Sequence, residues 1–197
     1  MKKLIGSRKF HLLKTSVFIS GSGSNLKNLI KFSLTKKSPI KIILVVSSNS
    51  KAKGLNLAKK YKIKYKVYDF KKKIKDENKI LISLKKDKID LICLAGFMKI
   101  LSKKFIKKFN GKILNIHPSL LPKYKGLNTH LRAINNNEKF SGCTVHFVNS
   151  KLDSGKIILQ KKVKIHKKDT PRILAKKILK EEHILYPKAL IKVFSSL

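Results

Sequence analysis

Short continuous apolar stretches alternate along the chain with longer ones whose apolar residues recur at helical spacing. Residues 16–20 form a short apolar run that closes on Gly21-Ser22-Gly23-Ser24. Leu26, Leu29 and Ile30 then share one helical face, so the segment reads as strand, glycine loop and helix. Residues 40–46 read as a second, buried strand interrupted only by Lys41. Leu55, Leu57 and Ala58 suit a helix, residues 65–68 a third strand, 74–84 a helix, and 90–95 a fourth buried strand ending at Gly96. A helix near 102–109 leads to a fifth strand at 112–116. Strands alternating with helical stretches imply crossover units and a mainly parallel sheet. Beyond Pro118 the pattern changes: 143–148 and 156–165 read as strands separated by the turn-rich 149–155, an antiparallel pair. Asp169-Thr170-Pro171 then caps a last helix running toward Phe194, with Asp or Thr at the N-cap and Pro at the first helical position. The expected fold class is α/β, with three layers: a mainly parallel twisted sheet, helices on both faces, and an antiparallel C-terminal strand pair. With no internal repeat or linker, residues 1–197 are expected to form a single domain, 1–14 standing as an N-terminal extension.

Lysine sharpens this picture. The chain holds 45 Lys and three Arg (Arg8, Arg132 and Arg172) against ten acids, a formal net charge of +38. Because Lys resists full burial, long lysine-free windows mark core strands or a site; they are 15–26, 42–50, 89–98, 113–122, 126–138 and 140–150. The charge admits two readings: a surface for nucleic acid or anionic membrane, or a lysine-rich background on an ordinary surface. The second is favoured, since bidentate recognition of bases and phosphates prefers Arg and the lysines run through the whole chain. The charge should still draw anionic substrates. A hydrophobic content of 42% excludes a disordered basic tail, and no apolar run approaches the ~20 residues of a membrane span. Cys93 and Cys143 each sit in apolar stretches and suggest a reducing compartment. With no apolar signal segment read at the N-terminus, a cytoplasmic location is expected.

Three constellations carry candidate chemistry. Gly21 to Asn25, between a strand and a helix, lets backbone N–H groups approach an anion at a helix start. A tight structural turn is the competing account, and the spacing matches neither the dinucleotide nor the NTP-loop pattern. Next, Asn115 and His117 alternate on one strand and so share a face, followed by Pro118-Ser119-Leu120-Leu121-Pro122. An amide donor beside an imidazole suits a developing oxyanion and a moving proton; a satisfied strand-end histidine is the plainer alternative. Lastly, Leu152-Asp153-Ser154-Gly155 is either turn chemistry or a carboxylate that orients a histidine. His130 and His146 are candidates for the same cleft, although His146, in a strand, reads as structural; His11 and His166, among lysines, read as exposed. No Cys/His cluster has zinc spacing.

Together these segments resemble phosphoribosylglycinamide formyltransferases. The likeness runs in order from about residue 16 to 197. It takes in 19–26, Leu94-Ala95-Gly96-Phe97-Met98-Lys99-Ile100-Leu101, 115–124, Val145-His146-Phe147-Val148, 152–160, and Glu182-His183 with Tyr186-Pro187. The resemblance implies transfer of a formyl group from 10-formyltetrahydrofolate, a co-substrate, to the amine of glycinamide ribonucleotide in purine synthesis. It also implies small-molecule partners, no metal, no specific nucleic acid or membrane, and a monomer or dimer. By the same resemblance Gly23, Ser24 and Asn25 hold the ribonucleotide phosphate, and Glu182 meets its glycinamide end. Met98, Lys99, Ile100 and Leu101, together with Asn115, Asn149, Ser150, Lys151, Leu152 and Asp153, are implied to bind the folate, largely through backbone groups. Asn115 and His117 are implied to meet the formyl oxygen, with Asp153 paired to His117. An ionised Asp153 is expected to raise the histidine pKa and keep the imidazolium populated near neutrality. Lys73 stands near a position where the family has an Arg toward the folate. Two positions depart from the family pattern: Asn128 stands where His is expected, and Ser154 where Gly is usual.

Asn-x-His followed by Ser-x-Leu-Pro also recurs in transferases acting on methionyl-tRNA or sugar amines and in formyltetrahydrofolate hydrolase. The further domains those enzymes carry, and the phosphate-suited 21–25 loop here, favour the ribonucleotide acceptor. A basic nucleic-acid-binding protein is the alternative from another class; it predicts steeply salt-dependent binding that is indifferent to Asn115 and His117.

Overall fold

The apolar stretches assemble into one sheet. The computed structural model describes residues 12–194. Its strands are β1 (Leu13–Ile19), β2 (Ile40–Ser47), β3 (Lys64–Val67), β4 (Leu91–Leu94), β5 (Lys112–His117), β6 (Phe140–Phe147) and β7 (Ile157–Lys164), in the order β3-β2-β1-β4-β5-β6-β7. The first five pair in parallel, whereas β6 runs antiparallel to β5 and β7 antiparallel to β6. The helices are α1 (Ser24–Ser33), α2 (Gly54–Lys60), α3 (Lys73–Lys86), α4 (Lys103–Lys108), α5 (Thr129–Asn135) and α6 (Pro171–Phe194).

Strand alternation sends neighbouring side chains to opposite faces. Val17, Cys93 and Leu114 meet Leu26 and Leu29 of α1, Ala58 of α2, and Ile178 and Leu190 of α6 on one side. Phe18, Ile92 and Ile113 meet Ile80 and Leu84 of α3 and Phe105 of α4 on the other. Three layers result, as expected. The lysine-free windows supply the central strands, while the edge strands β3 and β7 carry exposed Lys64, Lys161, Lys162 and Lys164. Charged edges discourage pairing with another chain.

Helix starts follow local chemistry. The Ser102 hydroxyl accepts the Phe105 N–H at 3.0 Å and caps α4. Thr170 accepts the Ile173 N–H at 3.3 Å with Pro171 at the first helical position, as its residue type predicts. Pro187, inside α6, has no N–H to give the His183 carbonyl one turn earlier. Asn28 Nδ2 donates to that carbonyl instead, tying α1 to α6.

Two strand starts and one helix depart most from the sequence reading. β1 begins at Leu13, in register with Ile40, so Leu13 and Lys14 belong to the sheet and not to an extension. Residues 1–11, including Arg8 and His11, lie outside the described residues. β6 begins at Phe140 because Phe140, Ser141 and Gly142 pair with Lys164, Val163 and Lys162, a long-range match that no local pattern announces. Helix α5 was not expected: it is only two turns long, and its main anchors in the core are Thr129 and Ala133.

Tyr186 of α6 is fully buried, with its hydroxyl 3.2 Å from the Leu94 carbonyl at the end of β4 and 3.1 Å from that of Leu114 within β5. Tyr186→Phe strands these carbonyls. We expect a loss of about 1–2 kcal/mol, read as a lower urea midpoint at unchanged slope; an unchanged midpoint would show that the hydroxyl does not lock α6 to the sheet.

Candidate active site

After β3 the chain returns to the far side of β1 to form β4, so strand order reverses between these two. Such a reversal opens a crevice at the carboxyl ends of the strands, where open α/β sheets bind ligands. Phe18, Leu94 and Asn115 lie level across β1, β4 and β5. The chain past β1 and β4 supplies the 20–25 and 96–101 loops, and β5 ends on His117.

Asn115, on the α3–α4 face, shares it with His117, and Asp153 reaches both. The Asp153 carboxylate lies 3.4 Å from His117 Nδ1 and 3.4 Å from Asn115 Nδ2, and accepts the Gly126 N–H at 2.9 Å. A further group joins them. His146 of β6 stands opposite Asn115 in register, its Nε2 3.6 Å from Asp153 and 3.3 Å from Asn115 Nδ2. The sequence reading left His146 as structural. Only the β5–β6 register, set by the chain's return after α5, shows that it completes the cluster.

The partners assign protons. His146 Nδ1 lies 2.8 Å from the Phe147 carbonyl and therefore carries hydrogen, leaving Nε2 to accept from Asn115. His117 Nε2 lies 2.9 Å from the Tyr124 carbonyl and likewise carries hydrogen. Its Nδ1 then faces only Asp153. Both amide hydrogens of Asn115 are engaged, each through a long contact that costs little to exchange for a better acceptor.

Electrostatics correct one expectation. The His117 pKa is lowered, not raised: burial outweighs the Tyr124 carbonyl and the Asp153 charge, and His146 and Arg132 push the same way as burial. The free site therefore holds a mostly neutral imidazole at neutral pH. For Asp153, burial pushes the pKa up, but the His146 ring beside it, the Gly126 N–H bond and the His117 charge together hold it below the usual carboxylate value. His130 is lowered by burial and by His117, which places it near the cluster, and its Nδ1 is buried without a partner.

The loop holding Asp153 is built locally. Asp153 adopts φ 43°, in the left-handed region that Asp tolerates better than most residues. Asn149 Oδ1 accepts the Lys151 N–H at 2.9 Å and the Ser154 hydroxyl at 3.1 Å, so Ser154 cross-links the turn. Asn128, at φ 56°, begins α5 in the same region, which suits Asn. Met98, Ile100, Leu127 and Leu152 expose large apolar side chains on these loops.

The second cluster joins α1 to α6. Buried Asn25 donates from Nδ2 to Glu182 at 2.7 Å across 157 residues of sequence, while its own Oδ1 has no partner. Burial lifts the Glu182 pKa to about 7, against the lowering effect of the Asn25 bond. Gly23, at φ 75°, precedes Ser24 and packs on Gly54, where a Cβ would sit 3.1 Å from the Gly23 Cα and 2.6 Å from Ile19 Cδ1. Gly54 N–H donates to the Gly21 carbonyl at 3.0 Å. Gly54 thus shapes the glycine loop, and the sequence reading passed over it. Among the described residues no His, Cys, Asp and Glu group is arranged to hold a metal, and no helix is long and apolar enough to cross a membrane. A cavity of about 530 Å³ walled by Leu120, Pro122, Tyr124, Phe140 and Lys162 shares Tyr124 with the site but none of its acid–base groups.

An α/β sheet with an amide, imidazole and carboxylate gathered near its reversal point defines a class of group-transfer fold. Residues 13–190 match the formyl transferase family, and the chain belongs to it. It is 44% identical over 177 residues to phosphoribosylglycinamide formyltransferase of Haemophilus influenzae, covering 88% of this chain and 84% of that one. It is 41% identical over 185 residues to the human trifunctional purine biosynthetic protein adenosine-3, covering 92% of this chain but only 18% of that protein. Solved structures of phosphoribosylglycinamide formyltransferase agree. That from Anaplasma phagocytophilum matches with TM-score 0.88 at 43% identity, covering 93% of this chain and 87% of that one. That from Bacillus halodurans matches with TM-score 0.89 at 35% identity, covering 92% and 95%.

Two titrations check these electrostatics. In an NMR titration the His117 imidazole should have its midpoint below 6.5, and Asp153→Asn, by deleting a charge that favours the imidazolium, should lower it further; a rise would reverse the assignment. Glu182 binds its proton more tightly folded than unfolded. Its contribution to stability is therefore full below about 4.5 and lost progressively as pH rises to about 7. Glu182→Gln should flatten that decline in denaturant midpoints, and an unaltered slope would show that Glu182 is not its source.

Proposed function

We propose that this chain transfers the formyl group of 10-formyltetrahydrofolate to the amine of glycinamide ribonucleotide. The observation that carries the reading is the convergence of Asn115, His117 and Asp153 at the carboxyl end of β5, in a chain similar along most of its length to phosphoribosylglycinamide formyltransferases.

In this reading Gly23, Ser24 and Asn25 hold the phosphate at the start of α1, where the first N–H groups of a helix have no partner within it. Glu182, poised near its titration point beside Asn25, meets the glycinamide end. The formyl folate lies between Met98-Lys99-Ile100-Leu101 and Asn149-Ser150-Lys151-Leu152-Asp153, two loops whose exposed Met98, Ile100 and Leu152 offer apolar cover.

The acceptor amine attacks the formyl carbon, and the carbonyl electron pair moves to oxygen. That oxygen takes the Nε2 hydrogen that Tyr124 holds in the free protein, and one amide hydrogen of Asn115. As charge develops on that oxygen, His117 takes a second proton from solvent at Nδ1, where the Asp153 carboxylate stabilises the imidazolium, and returns it when the oxyanion collapses. Collapse breaks the bond from carbon to the folate nitrogen, and the proton the amine releases passes to that nitrogen. No covalent enzyme intermediate is involved. Small molecules as partners, no specific nucleic acid or membrane, a cytoplasmic location and a monomer or dimer belong to the same proposal.

Incubation with 10-formyltetrahydrofolate and, separately, glycinamide ribonucleotide, methionyl-tRNA and sugar amines, followed by folate absorbance, should show turnover with the ribonucleotide alone. Asn115→Ala and His117→Ala should each lower kcat at least ~100-fold. Turnover near that of the unaltered chain in both variants would sink the reading.

A further inference from the structure

We infer that Ser20 is a positioning residue that couples the end of β1 to the 96–101 loop and thereby sets the pocket for the formyl donor; this rests on the proposed reading of that loop as folate-binding. Ser20 is the last residue before the glycine loop. Its backbone N–H donates to the Gly96 carbonyl at 3.1 Å. Its hydroxyl accepts the Met98 N–H at 2.8 Å and shares a 2.6 Å bond with the Ser48 hydroxyl just past β2. One donor hydrogen and two lone pairs are enough for both hydroxyl contacts. A single half-buried side chain thus joins the chain past β1, β2 and β4 on the edge where the substrate loops depart.

Within the 96–101 loop the Phe97 ring packs edge-on against Phe18 at 5.3 Å and Phe70 at 5.5 Å, which holds a side chain but leaves the direction of the following backbone open. Gly96 is at φ 72°, and Met98, Lys99 and Ile100 are exposed. At its far end Leu101 is buried and Ser102 is held through its N–H by Glu77 Oε1 at 2.8 Å. Between Phe97 and Leu101 the Met98 N–H bond to Ser20 is the side-chain hydrogen bond that fixes the loop backbone. Backbone groups of this loop can meet a flat heterocycle only if their direction is set beforehand, because an untethered loop must be ordered on binding. Ser20 touches no substrate in this account; it acts through Met98.

The test compares two single-hydroxyl deletions in the full chain. Ser20→Ala removes the acceptor of Met98 N–H, whereas Ser48→Ala removes the other bond of the same hydroxyl and leaves the tether. With Ser20→Ala the KM for 10-formyltetrahydrofolate should rise about three- to tenfold, the worth of one hydrogen bond, with kcat and the ribonucleotide KM within about twofold. Ser48→Ala should leave the donor KM within about twofold. Exchange of the Met98 amide hydrogen, followed without substrate, should quicken in Ser20→Ala only. An equal rise in donor KM in both variants would mean general softening of the strand ends and would overturn the inference. Ile100→Asp separates the two levels. If it raises the donor KM while Ser20→Ala does not, the loop binds folate but Ser20 does not position it. If neither moves the donor KM, the folate reading of the loop fails and the inference falls with it.

Discussion

The site depends on one carboxylate being shared among three side chains and a backbone amide. Asp153 sits among His117, His146, Asn115 and the Gly126 N–H, groups drawn from two adjacent antiparallel strands and the segment before α5. In a chain whose 48 Lys and Arg outnumber ten Asp and Glu, a buried anion has no shortage of distant cations. None of them supplies a direct partner here, and the contacts come from imidazole, amide and peptide. That choice keeps the carboxylate ionised without neutralising it permanently, so its charge remains available to a histidine that gains a proton.

Burial opposes the charged form at all three acid–base groups, but with different outcomes. At His117 it wins and favours the neutral ring; at Asp153 it is overcome by hydrogen bonds. At Glu182 only Asn25 opposes it, and the carboxyl is left titrating near 7. The difference follows from the number of donors each carboxylate meets. A charge that develops during reaction at His117 is therefore the charge the surroundings are arranged to receive, while Glu182 can ionise when a cationic or strongly donating group arrives.

The rest of the fold serves this edge of the sheet. Tyr186 pins α6 beneath the end of β4 and the middle of β5, and Asn28 takes the carbonyl that Pro187 cannot satisfy. Those contacts bring Glu182 against Asn25 from the far end of the chain. The lysine excess stays outside this framework. It covers the surface and the two edge strands, and the core strands coincide with the windows that lack it.

Local chemistry wrote much of this into the sequence: strand and helix alternation, the caps at Ser102 and Thr170, the glycine loop, and the pairing of Asn115 with His117 on one face all follow from residues within a few positions of one another. The family likeness added the pairing of Asp153 with His117 and a substrate contact for Glu182. Contacts between distant segments decided the rest. The place of His146 required the β5–β6 register, the start of β1 required β2, and the role of Gly54 required its approach to Gly23. The direction of the His117 shift belongs to the same group, because proximity to a carboxylate is legible from a motif, whereas the loss of water that outweighs it exists only once the chain has closed around the ring.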